Sequence, residues 1–105
     1  MVNYILNSPI LTNFGTYSFQ KINLLKAKDI LTKRKFVSAI GHESTAIFVS
    51  EILGIEIPLD RVAVKMQPGD TAIIFHLLDR LPEGKILTEE EMGKIHYEFG
   101  ILEML

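Results

Sequence analysis

The sequence predicts a single mixed α/β domain over residues 1–105, a partly antiparallel sheet flanked by helices. Three observations predict it. Apolar runs of strand length alternate with segments of helical spacing, turn residues separate them, and capping residues stand where helices should begin. Hydrophobic residues make up 48% of the chain, enough to build a core and too many for a disordered segment.

Each element has its own signature. Val2 to Leu6 is a short apolar run closed by Asn7-Ser8-Pro9, a strand and a turn. After Gly15, Tyr17 and Phe19 alternate with polar residues as a second strand. Asn23 can cap a helix from Leu24 to Lys33, in which Leu24, Ala27 and Leu31 share a face; Lys33-Arg34-Lys35 suits the negative end of its dipole. Phe36 to Ile40 reads as a buried strand that delivers the chain to Gly41-His42.

A second helix is expected from Glu43 to Leu53, stopped by Gly54. Its apolar face carries Ala46, Phe48, Val49, Ile52 and Leu53, while Ile47 falls among polar residues. Arg61 to Met66 alternates and reads as a strand. Gln67-Pro68-Gly69-Asp70 has the residue order of a type II turn, and Thr71 to Leu78 is apolar on both faces, as a central strand should be. Together these two runs predict a hairpin. Thr88 and Glu91 form a capping box for a short helix, and Tyr97 to Leu105 closes as a last strand.

Composition excludes several functions. There is no Cys, hence no disulfide framework and no thiolate metal site. The three His are widely separated, so no metal site and no cofactor is expected. The segment before Asn7 is too short for a secretory h-region, and no later apolar stretch reaches membrane-spanning length. A cytoplasmic protein with no membrane partner follows as the expectation. Eleven Lys and Arg stand against 13 Asp and Glu, a net charge of −2, whereas proteins of long nucleic acids usually carry a basic excess. Any nucleic-acid partner should be short and held in a pocket.

Two constellations can carry chemistry. In Ile40-Gly41-His42-Glu43-Ser44-Thr45 a strand ends, a Gly permits close approach, and a His stands where a helix begins. Unpaired amides of a first helical turn hold phosphate well, Ser44 and Thr45 add hydroxyls, and His42 can transfer a proton. The same residues also suit a plain strand-to-helix turn, and Glu43 would repel an anion. In Asp79-Arg80-Leu81-Pro82-Glu83-Gly84, Arg80 offers a bidentate phosphate clamp and Glu83 a base, or the stretch is a solvated polar loop. Arg61 can balance an anion or merely flank a strand. His76 interrupts an apolar strand and reads first as a core histidine.

These blocks, Ile40 to Thr45, Arg61-Val62 and Arg80 to Thr88, resemble the viral type III anti-CRISPR ring nucleases, small proteins of archaeal viruses and phages with cellular relatives. The resemblance runs from Phe36 into the helix after Thr88 and more loosely through the N-terminal third. It implies an enzyme, a homodimer that holds cyclic tetra-adenylate on its two-fold axis. Such an enzyme cuts the ring without metal to linear di-adenylate with cyclic phosphate ends, which silences type III CRISPR signalling. By position, the resemblance makes His42 catalytic, with Arg80 on the phosphate and Glu83 as a base or orienting group. It places Asn7, Ser8, Gly41, Ser44, Thr45, Arg61 and His76 at the ligand. His76 stands where relatives carry a polar amide, and both Ser8 and Thr12 fit a serine found after the first strand. The competing readings are a protein that binds the ring without cutting it and a small protein-interaction regulator that shares the fold.

Overall fold

The computed structural model describes residues 2–8, 13–79 and 88–105, with Glu89 described by its backbone alone. The elements are β1 (Asn3–Leu6), β2 (Tyr17–Ile22), α1 (Leu24–Lys33), β3 (Val37–Ser38), α2 (Glu43–Leu53), β4 (Thr71–Leu77), α3 (Glu89–Met92) and β5 (Tyr97–Met104). They build a mixed five-stranded sheet in the order β2-β5-β4-β1-β3. β1 runs parallel to β3 and β4, while β5 runs antiparallel to β4 and β2.

β4 is the centre, as its two-sided apolar pattern predicts. Ala72, Ile73, Ile74 and Phe75 have no exposed surface. Strand alternation sends Ile73 and Phe75 to one face, where Ile5, Phe99 and the helices meet them. Ala72 and Ile74 face the other way, toward Leu6, Leu102 and Met104. Among the described residues the helices pack on the first face and leave the other face without a helix. Ala27, Ile30 and Leu31 of α1 and Ala46, Phe48, Val49 and Leu53 of α2 supply the covering layer. Each large apolar side chain buried there contributes roughly 1.5–3 kcal/mol.

The helix boundaries follow the expected chemistry. Asn23 Oδ1 accepts the Lys26 N–H at 2.8 Å, and Gly54 ends α2 at φ 65°. Thr88 Oγ1 accepts the Glu91 N–H while Glu91 Oε1 accepts the Thr88 N–H, both at 3.2 Å, which is the expected capping box. The strand expected over Phe36 to Ile40 shrinks to Val37–Ser38, because only those residues lie in register with β1.

The hairpin is the main correction. The turn exists: the Asp70 N–H bonds Gln67 O at 2.9 Å and Gly69 takes φ 94°, which an L residue rarely adopts. Arg61 to Met66 forms no strand, however, because both edges of β4 are already filled by β1 and β5. The segment instead lies as a strap on the helix-free face. Its alternation is real but serves that packing, with Met66 buried in the second cluster, Val64 half-buried and Val62 exposed. Asn13 Nδ2 ties the strap down by donating to Met66 O at 2.8 Å.

Candidate functional site

At the carboxyl ends of β1 and β3 the chain leaves the sheet twice, at Asn7-Ser8 and at Ile40-Gly41-His42, and a crevice opens between these exits and the strap. Such a position, outside the carboxyl ends of parallel strands, is where α/β sheets usually hold ligands. The crevice has a volume of about 440 Å³, the size of a small-ligand site. Asn7, Ser8, Gly41, His42 and Arg61 form its polar side. Leu6 and Ala39 from the sheet and Val62, Ala63 and Val64 from the strap form its apolar side.

His42 is the N-cap residue of α2, in extended conformation at φ −122° and ψ 127°, and its side chain makes no capping bond. Its carbonyl accepts the first helical bond, from the Ala46 N–H at 3.0 Å. The imidazole is exposed beside the positive end of the helix dipole, where the first-turn amides lack intrahelical acceptors. The arrangement can therefore accept an anion and transfer a proton next to it.

The strap is stitched to the strand that carries this turn. Ser38 Oγ donates to Pro58 O at 2.5 Å, and the Asp60 N–H donates to Ile40 O at 2.9 Å. One residue further, Arg61 donates from Nε at 3.3 Å and from Nη2 at 3.1 Å to the carbonyl of Gly41.

Several expected ligand residues fall elsewhere. Thr45 is buried on the inward face of α2, Ser44 is half-buried on the helix, and neither lines the crevice. His76 is neither core nor crevice. Its strand position turns it outward toward β5, where Nδ1 lies 3.2 Å from Glu98 Oε1, and its side chain is 48% exposed. Arg80 and Glu83 lie outside the described residues, as does Thr12. Asp79, just before Arg80, accepts the His96 N–H at 2.6 Å and sits 2.8 Å from His96 Nδ1. These bonds, the backbone one foremost, hold its carboxyl below the usual carboxylate value.

What the sequence reading missed is the strap wall. Val62, Ala63 and Val64 looked like strand residues, yet they close the crevice. The signal available was Pro58 before them, which breaks regular pairing. Among the described residues no group of three or more His, Asp or Glu side chains gathers as a metal site, and no helix is long and apolar enough to cross a membrane.

Known proteins share this architecture. The chain is similar to B116 of Sulfolobus turreted icosahedral virus, with a TM-score of 0.84 and 30% identity over 98% of this chain and 99% of that one. It is 37% identical to the uncharacterized protein YddF of Bacillus subtilis over 95% of this chain and 94% of the relative. It is also 34% identical to uncharacterized protein 26 of Sulfolobus islandicus filamentous virus over 97% of this chain and 91% of the relative. The profile of the STIV B116-like family matches residues 3–99, and the chain belongs to that family.

Proposed function

We propose that this protein is a metal-independent ring nuclease that binds cyclic tetra-adenylate and cuts it to linear di-adenylate with cyclic phosphate ends. The observation that carries the reading is the crevice itself. Residues far apart in sequence, Asn7, Ser8, Gly41, His42 and Arg61, meet around one space at a helix N-terminus. All are positions that the family resemblance places at the ligand.

In the proposed reaction a ribose 2′-hydroxyl attacks the adjacent phosphorus in line. A cyclic phosphate forms and the bond to the 5′-oxygen breaks. His42, as general acid, protonates that departing oxygen. The hydroxyl proton leaves to Glu83 or to solvent. The nucleophile belongs to the substrate, so no activated water is required. Arg80 and the first-turn amides of α2 balance charge on the pentavalent phosphate. The crevice suits part of a four-nucleotide ring rather than the whole, which supports a homodimer with the ring on the two-fold axis, each copy cutting one of two opposite linkages.

The test is cleavage of labelled cyclic tetra-adenylate in EDTA by the wild type and by His42→Ala. Linear di-adenylate from the wild type and its loss in the variant support the proposal. Tight binding by both without cleavage would make the protein a sponge for the messenger. Neither binding nor cleavage would leave the interaction-regulator reading.

A further inference from the structure

Among the described residues the His42 side chain makes no capping bond to α2, yet a general acid must be aimed to within a fraction of an ångström of its target. Its aim therefore depends on the backbone that carries it. On the C-terminal side, the His42 carbonyl is fixed by the Ala46 N–H at 3.0 Å. On the N-terminal side, the Gly41 carbonyl is gripped by the Arg61 guanidinium through Nε and Nη2, at 3.3 and 3.1 Å. The Gly41 carbonyl and the His42 N–H belong to one planar peptide unit, so gripping the oxygen fixes the plane and the direction of the N–H.

Gly41, which also lines the crevice, fits this role. It does not take a positive φ, unlike Gly54 and Gly69. A Cβ at position 41 would instead lie 3.3 Å from Arg61 Cγ, tighter than an ordinary contact, and 3.4 Å from Nε. The glycine is thus explained by the Arg61 stem lying against it.

We infer that Arg61 is a positioning residue: it clamps the Gly41–His42 peptide and thereby aims the His42 imidazole into the crevice. The inference rests on the ring-nuclease reading for its catalytic consequence, but the clamp itself is a property of the ligand-free chain. It differs from a simple substrate contact, since the N–H of Nε and one of Nη2 are already given to the protein. A planar fork on one carbonyl oxygen is geometry that lysine cannot reproduce.

The experiment pairs two readouts on Arg61→Met, Arg61→Gln and Gly41→Ala. Arg61 is exposed and belongs to neither core cluster, so the variants should fold, with thermal melting as the control. The first readout is backbone ¹⁵N relaxation of Gly41 and His42 without ligand. The second is kcat and KM for cyclic tetra-adenylate. Arg61→Met and Gly41→Ala are expected to loosen the Gly41–His42 peptide and lower kcat about tenfold, with KM held within about twofold. Arg61→Gln, which offers a single amide group to the carbonyl in place of the fork and carries no charge, should recover part of both at most. Unchanged relaxation in Arg61→Met overturns the clamp. A rise in KM with kcat intact makes Arg61 a charge contact to substrate instead. Should the wild type cut nothing, the ring-nuclease reading falls while relaxation still decides the clamp.

Discussion

The carboxylate of Asp70 accepts the backbone N–H of Val2 at 2.8 Å, a bond that spans 68 residues of chain. Its second oxygen accepts the Gln67 N–H at 2.9 Å. One buried side chain thus joins the Pro-Gly turn to the start of the first strand, at the end of the sheet opposite the crevice. The Val2 bond is the main reason its carboxyl sits below the ordinary value of 3.8; the Gln67 bond adds to this, while burial opposes both. Since the folded value is the depressed one, this contribution is present above the ordinary carboxylate range and is lost as pH falls through the folded value. Asp70→Ala should cost about 2 kcal/mol in urea denaturation at pH 7. The gap between variant and wild type should close as pH is lowered below 3.8; a gap that stays constant with pH would refute the assignment.

Phe75 stands at the centre of an aromatic group, with ring centroids 5.8 Å from Phe48, 5.6 Å from Tyr97 and 5.4 Å from Phe99. It has no exposed surface. Phe75→Ala should destabilise the fold by about 3–5 kcal/mol, through lost burial and the cavity left behind. Phe75→Leu should lose clearly less. Equal losses in the two variants, measured by chemical denaturation, would mean that the ring contacts rather than the filled volume carry the effect.

The cap at the start of α1 has a local effect. Asn23→Ala removes the bond to the Lys26 N–H and should cost about 1 kcal/mol. Asn23→Asp keeps an acceptor there and should remain within about 0.5 kcal/mol of the wild type. Amide exchange in the first turn of α1 is the sensitive measurement, since that turn should open sooner in the alanine variant alone.

His42 is exposed and its side chain makes no capping bond to α2. His42→Ala should therefore unfold within about 0.5 kcal/mol of the wild type and, under the proposed function, lose ring cleavage. A large drop in stability would show that the imidazole supports the turn, and loss of activity would then say nothing about proton transfer.

Local rules were enough to read most elements, because those elements answer to local chemistry. Asn23, Gly54 and the Thr88–Glu91 box mark helix ends through bonds within one turn. The crevice residues Gly41 and His42 were visible too, since a strand exit beside a helix start is local information. The fate of Arg61 to Met66 was not. Its alternation fits a strand and a strap equally, and the choice depends on β1 and β5 having filled both edges of β4, a long-range fact. His76 was misread for a related reason: an apolar run shows that a strand is central but not that its last turn outward meets Glu98. The burial of Thr45 shows the same limit, for a motif names a neighbourhood and only the helix phase says which side chain faces it.

Because one wall of the crevice is a strap, the ligand-facing surface and the sheet obey separate constraints. A residue added or removed within β4 would turn every later side chain to the wrong face. The same change between Val62 and Lys65 shifts no strand pairing, as this stretch joins no ladder. The wall can thus lengthen, shorten or change side chains while the architecture behind it stays intact. Under the proposed function, ligand choice can be retuned on this scaffold without renegotiating the fold.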